Sequence, residues 1–112
     1  MLPENGDKAY IWDIVDAAKE ILSFTENITY EEFDDKHIIR YAVERQLLVI
    51  GEAARHLSEK IKEAFFEIPW KQIVGLRNII AHEYGEVLTE RVWLVVKKDI
   101  PKLIDKLENY LE

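Results

Sequence analysis

The sequence has no cysteine. That excludes disulfides and thiolate metal sites. Histidine is sparse. His37, His56 and His82 have no metal-ligand spacing, so neither a metal nor another cofactor is expected. No apolar run approaches the roughly 20 residues that a helix needs to span a bilayer. The N-terminal "MLPENGDKAY" lacks the basic start and apolar stretch of a signal peptide. Cytoplasm is therefore the default location. Strand-period segments and hairpin turn signals are missing as well. Positive charge is short: 15 Lys and Arg stand against 22 Asp and Glu, a net charge of −7. This argues against gripping nucleic acid over a long footprint, which rests on many cation–phosphate contacts. It still permits RNA contact where basic residues converge at one place. The acidic bulk favours solubility and a basic partner.

What is present is helical. At 112 residues, 48% hydrophobic and 33% charged, the chain fits a single soluble domain over 1–112. Tyr10, Ile14, Ala17, Ile21 and Phe24, with Ile11, Val15, Ala18 and Leu22 beside them, form one broad apolar face over residues 8 to about 24. Thr29 and Glu32 have capping-box spacing within the linker "ENITYEEFDD". A long helix is expected from about Lys36 to Leu57, running on or kinking to Ala64. Val43, Leu47, Ile50, Ala54, Leu57 and Ile61 mark its buried side. Gly51 lies inside this run. A mid-helix glycine costs about 1 kcal/mol against alanine, so it reads as a point of close helix packing.

Pro69 suits the first turn of the next helix, through "WKQIVGLRNIIAHEY", with Gly85 as its C-terminal cap. Thr89 is placed to open the last helix, buried through Val92, Val96, Leu103, Leu107 and Tyr110. Pro101 predicts a kink or restart there, with Asp99 as cap. The architecture is an all-α, up-and-down bundle of four main helices, with room for a short fifth.

The chemistry concentrates in "LRNIIAHEYGEV", residues 76–87. At about 100° per residue, Arg77 and Tyr84 share one helical face, and Asn78 and His82 a neighbouring one. Arg77 and His82 sit well apart in angle. They meet on one ligand only if the helix loosens near His82 or two copies face each other across a subunit interface. Arginine holds phosphate through a planar charged fork. Histidine moves protons near neutral pH. Such a set suits attack by an RNA 2′-hydroxyl on the neighbouring phosphate, giving a 2′,3′-cyclic phosphate. Residue types alone fit better a surface arginine and a histidine at a helix C-terminus.

"LRNIIAHEY" resembles the R-x-x-x-x-H-x-Y signature of the HEPN domains of HepT-like ribonuclease toxins. "AVERQLLVIGEAARHLS", with its "GEA", resembles that family's long second helix. "IPWKQIVGLRN" resembles the approach to the motif, and "VLTERVWLVVKKDIPKL" the last helix. The resemblance covers nearly the whole chain in the right order. It implies a HEPN-type bundle that forms a homodimer with two motifs facing each other. It implies metal-independent endoribonuclease activity, and a toxin role beside a minimal nucleotidyltransferase antitoxin. Arg77 and His82 would be the catalytic pair and Asn78 the polar residue that follows the arginine. Tyr84 would be the site to which the antitoxin transfers AMP, whose added phosphate would repel RNA.

Arg45 and Glu52, seven apart on the long helix, read as a satisfied polar pair or as support for the Arg77/His82 site. His37 and His56 read as solvated helix residues. Trp70 and Trp93 are expected as core or interface anchors, while Trp12 sits beside the apolar face. Two readings compete with the toxin. One is a non-catalytic helical nucleotide- or partner-binding module of a nucleotidyltransferase complex. The other is a plain structural dimer.

Overall fold

The computed structural model describes residues 3–81 and 86–111. Among them every regular element is helical: α1 (Pro3–Thr25), α2 (Tyr30–Asp35), α3 (His37–Arg55), α4 (Glu59–Ala64), α5 (Trp70–Ala81), α6 (Glu86–Leu94) and α7 (Ile100–Leu107). A π turn, Val95–Asp99, joins α6 to α7, and a 3-10 turn, Glu108–Leu111, follows. This is an all-α, HEPN-type bundle. The main helices are α1, α3, α5 and the α6–α7 rod, with two short helices rather than one. None is long and apolar enough to cross a membrane.

The apolar stripes bury as their spacing predicts. Ile11, Ile14, Ala18 and Ile21 of α1 meet Val43, Leu47, Ile50 and Ala54 of α3, all fully buried. Val92, Val96, Leu103 and Leu107 close the core from the last rod. The pairs Tyr10–His56, Asp7–Ser58 and Glu20–Gln46 run in opposite numerical directions, so α1 and α3 are antiparallel. α1 ends where Asn27 takes a left-handed conformation, φ 61°, which asparagine tolerates better than most side chains. The Thr29–Glu32 capping box then opens α2. Each side chain takes the other's backbone N–H, at 3.1 and 3.0 Å. It delivers Phe33 to the core, worth about 1.5–3 kcal/mol of burial.

Gly51 performs the packing role its position suggests. A Cβ there would stand 3.2 Å from the backbone oxygen of Ile73 on α5. Trp70 is buried and donates from Nε1 to the Phe65 carbonyl, 3.1 Å away. Trp93 packs against Phe33 with the rings tilted 39° and meets Tyr30 edge-on, with Lys97 Nζ 4.6 Å over its ring, whereas Trp12 is more than half exposed.

Three boundaries differ from the sequence reading. α1 begins at Pro3 rather than at residue 8. The long helix does not run on to Ala64. It stops at Arg55, and Ser58 caps a separate α4 by accepting from Ile61 N–H at 3.3 Å. Asp7 holds that cap in place, taking the Ser58 N–H at 2.9 Å and its hydroxyl at 2.7 Å. Thr89 does not open the last helix, because α6 already starts at Glu86. Pro101 stands in the first turn of a new segment, as a restart requires, since α7 opens at Ile100. Its ring would collide with the carbonyl four residues back, and the π turn, with Ile100 N–H bonded to Val95, widens the backbone just there. Asp99 precedes α7 in helical conformation and makes no side-chain cap. Gly85, the expected cap of α5, lies outside the described residues.

Candidate active site

The close α3–α5 approach at Gly51 brings the next residue, Glu52, beside Arg77. Arg77 Nη1 lies 3.8 Å from Glu52 Oε1. Helical spacing supplies two further partners to the other oxygen. Arg55 Nη2 donates to Oε2 at 2.8 Å, and His56 Nε2 lies 3.0 Å from the same atom. The hydrogen bond from Arg55, then that from His56, lowers the Glu52 pKa to about 2. Glu52 is therefore an anion at any ordinary pH and draws together three basic side chains from two helices.

α1 forms the opposite wall. Tyr10 stacks on His56 with ring centroids 5.2 Å apart and planes 17° from parallel. Between these helices lies a cleft of about 370 Å³, lined by Tyr10, Asp13, Arg45, Leu48, Val49, Glu52, Ala53 and Arg77. Arg45 and Glu52 do not form the polar pair proposed from their spacing. Glu52 is engaged by the three basic groups just named, and Arg45 stands exposed on the cleft. Seven residues separate the two, about 10 Å along the helix, beyond direct pairing.

The Arg77 side chain remains 65% exposed despite its ion pair. Such a long, solvated pair holds the guanidinium loosely and leaves its fork open to an arriving anion. Arg45 and Arg77 together give the cleft two cations able to meet phosphates. Asn78 is exposed on the same helix. His82 and Tyr84 lie outside the described residues.

His37 begins α3 and His56 follows its end, so the two histidines sit at opposite ends of that helix. Of the two, the cleft network takes in His56, which sequence reasoning left without a role. The i, i+3 and i, i+4 spacings of Arg55 and His56 from Glu52 were a usable signal. The stacking of Tyr10, which is 46 positions away in the chain, was not. A separate hollow of about 400 Å³ lies between α5 and the last rod, lined chiefly by apolar groups such as Ile73, Leu76, Val92 and Leu94.

Residues 14–110 match the model of the family described as "Ribonuclease HepT-like". The chain belongs to the HepT-like ribonuclease family. Among the relatives of this HepT-like chain, a Methanocaldococcus jannaschii protein named "Putative RNase MJ1380" is 43% identical, with 90% of this chain and 93% of that one aligned. A second protein of that organism, "Putative RNase MJ1216", is 36% identical over 99% of this chain and 92% of its own length. "Probable ribonuclease HepT" of Thermococcus cleftensis is 37% identical over 95% and 96%. No solved structure matches.

Proposed function

We propose that this chain is a single HEPN domain acting as a metal-independent endoribonuclease, with Arg77 and His82 as its catalytic pair. The observation that carries this reading is Arg77, exposed over a cleft with Arg45 in a chain of HepT-like family. In the proposed reaction the 2′-oxygen attacks the adjacent phosphorus and the bond to the 5′-oxygen breaks. His82 handles a proton at one of these oxygens, and Arg77 neutralises charge growing on the phosphoryl oxygens. The products are a 2′,3′-cyclic phosphate and a free 5′-hydroxyl. Asn78 would orient the ligand or the histidine. Glu52 would aim Arg77, and Arg45 would take a flanking phosphate.

The site is completed in a homodimer, where two copies of the motif share one cleft. The apolar hollow beside α5, with Leu94 63% exposed at its edge, supports that assembly. The biological role is that of a toxin held in check by a cognate minimal nucleotidyltransferase. Tyr84 Oη would attack the α-phosphate of ATP and release pyrophosphate. The AMP left behind would block RNA.

Incubation with total RNA in EDTA tests the chemistry. Arg77→Ala and His82→Ala should each slow cleavage by about 100-fold or more while helicity is retained. Equal cleavage by wild type and His82→Ala removes His82 from the mechanism. A monomer by light scattering at micromolar concentration refutes the shared cleft. The two carboxylates in the cleft, Asp13 and Glu52, favour the rival reading of a binding module without catalysis. That module would bind its nucleotidyltransferase tightly, leave RNA intact and not arrest growth on expression.

A further inference from the structure

The cleft holds one negative charge that nothing in the fold answers. Glu52 is met by Arg55, His56 and Arg77. Asp13, on the α1 wall, is exposed and makes no hydrogen bond or ion pair among the described residues. Its height along the cleft follows from the antiparallel helices. Tyr10 lies against His56 and Glu20 against Gln46, so Asp13, three residues past Tyr10, falls level with Ala53. Glu52, the neighbour of Ala53, lies 3.8 Å from Arg77. α1 and α5 each pack on α3. Asp13 and Arg77 therefore reach the cleft at one height from opposite walls, over a floor of Leu48, Val49 and Ala53. Arg45 stands eight residues back from Ala53 along α3, about 12 Å, beyond pairing with Asp13.

A lone carboxylate is a cost in a cleft that receives phosphates, because like charges repel. It becomes a gain only where the ligand brings a donor to it, since an ionised carboxylate can only accept hydrogen bonds. The donor that always accompanies a phosphate in RNA is the ribose 2′-hydroxyl, on the carbon next to the one that carries the 3′-phosphate. Base N–H groups lie across the sugar and differ from base to base. The 2′-hydroxyl is also the group by which a protein tells RNA from DNA. A phosphate on Arg77 brings the hydroxyl beside it to the height of Asp13. Arg45, about 10 Å along α3 from Glu52, is placed for the next phosphate.

We infer that Asp13 accepts a hydrogen bond from the ribose 2′-hydroxyl next to the phosphate held by Arg77, and so selects ribonucleotides over deoxyribonucleotides in binding. This rests on the ribonuclease reading for the identity of the strand, and it deepens that reading. The hydroxyl selected is the one that attacks. The cleft thus checks for the nucleophile before the chemical step, and the Asp13 charge turns a deoxy strand away.

The probes are adenosine 3′,5′-bisphosphate and its 2′-deoxy analogue. Each carries a phosphate on either side of one sugar and has no bond for the nuclease to cut. Binding to the full chain is read by titration calorimetry. Wild type should hold the ribose probe roughly tenfold more tightly, the worth of one hydrogen bond to a charged group. Asp13→Ala should bring the two affinities together from both sides. The ribose probe binds more weakly, and the deoxyribose probe more tightly because the repulsion is gone. Asp13→Asn keeps an accepting oxygen and should still favour the ribose. Wild type that binds neither probe, or both alike, overturns the inference. Retention of the full preference in Asp13→Ala, or its loss in Asp13→Asn, does the same. The matching uridine pair should show the same preference, and a preference confined to adenine places Asp13 on the base and overturns the assignment to the sugar. Cleavage of total RNA is scored separately. A protein that prefers ribose in this way but never cuts RNA sinks the nuclease reading and leaves the ribose contact. One that cuts RNA while Asp13→Ala discriminates as wild type does sinks the inference alone.

Discussion

Replacing Gly51 by alanine sets two effects of known sign against each other. Alanine in a helix interior is favoured over glycine by about 1 kcal/mol. At this position its Cβ would lie 3.2 Å from Ile73 O and 3.8 Å from Val74 O, both backbone atoms of α5. Those carbonyls belong to a helix and cannot swing aside as a side chain would. α5 must retreat as a body by a few tenths of an ångström, and overpacking of this kind costs about 1–3 kcal/mol. The balance is a net loss of about 1 kcal/mol, or about 4 °C in Tm for a chain of this size. The retreat also lengthens the Glu52–Arg77 pair, so RNA cleavage should fall more than stability does. Gly75 is the control. It has no atom within 4 Å of where a Cβ would go, so Gly75→Ala should gain the propensity term and raise Tm. Calorimetry on the two variants decides it. A Gly51→Ala protein that melts about 4 °C above wild type would show that the α3–α5 contact exerts no resistance, and the packing argument would fall.

Two further outcomes follow from polar contacts. Asp7→Ala strips two hydrogen bonds from Ser58 at a site where Asp7 is only 9% exposed. A loss of about 1.5–3 kcal/mol in urea titration is expected, because the acceptor is a carboxylate. A change under 0.5 kcal/mol would mean that the α4 cap stands without it. Glu52 behaves differently because its link to stability runs through pH. Its pKa falls from an ordinary 4.5 to about 2 on folding, so its stabilisation is complete above the higher value and is lost as pH drops through the lower one. The Tm advantage of wild type over Glu52→Gln should therefore hold above pH 4.5 and vanish toward pH 2. A constant difference across that range would show that Arg55 and His56 do not act on the carboxylate charge.

The helices were legible because their apolar residues recur at helical spacing over long stretches. Val43, Leu47, Ile50 and Ala54 could be placed on one face without any knowledge of their neighbours. Thr29–Glu32 was legible for the same reason, since the cap is complete within four residues. The break after Arg55 was hidden. Leu57 and Ile61 continue the stripe, and the residue that secures the Ser58 cap, Asp7, lies 51 positions away. The Arg77–Glu52 meeting and the Tyr10–His56 stack also depend on how three helices pack. Spacing on one helix suggested instead an Arg45–Glu52 pair, which the geometry replaces with Arg55, His56 and Arg77. Pro101 signalled the restart at α7, but the π form of the Val95–Asp99 turn before it was hidden, because that widening leaves no mark in the residue types.

The order in which the helices pack has a kinetic consequence. α1 lies against α3, and α3 against α5, while α7 returns to cover α1. The walls of the cleft, with Tyr10, Glu52 and Arg77, thus come from main helices consecutive in the chain that pair as soon as residue 81 has emerged from a ribosome. The closing contacts, such as Lys19 with Glu108, span almost the full chain and form last. Until α7 docks, one flank of α1 is bare and the first three main helices are an unsealed half-core, prone to association with other chains. Premature termination between α5 and α7 would therefore release a fragment that carries the cleft residues without the seal.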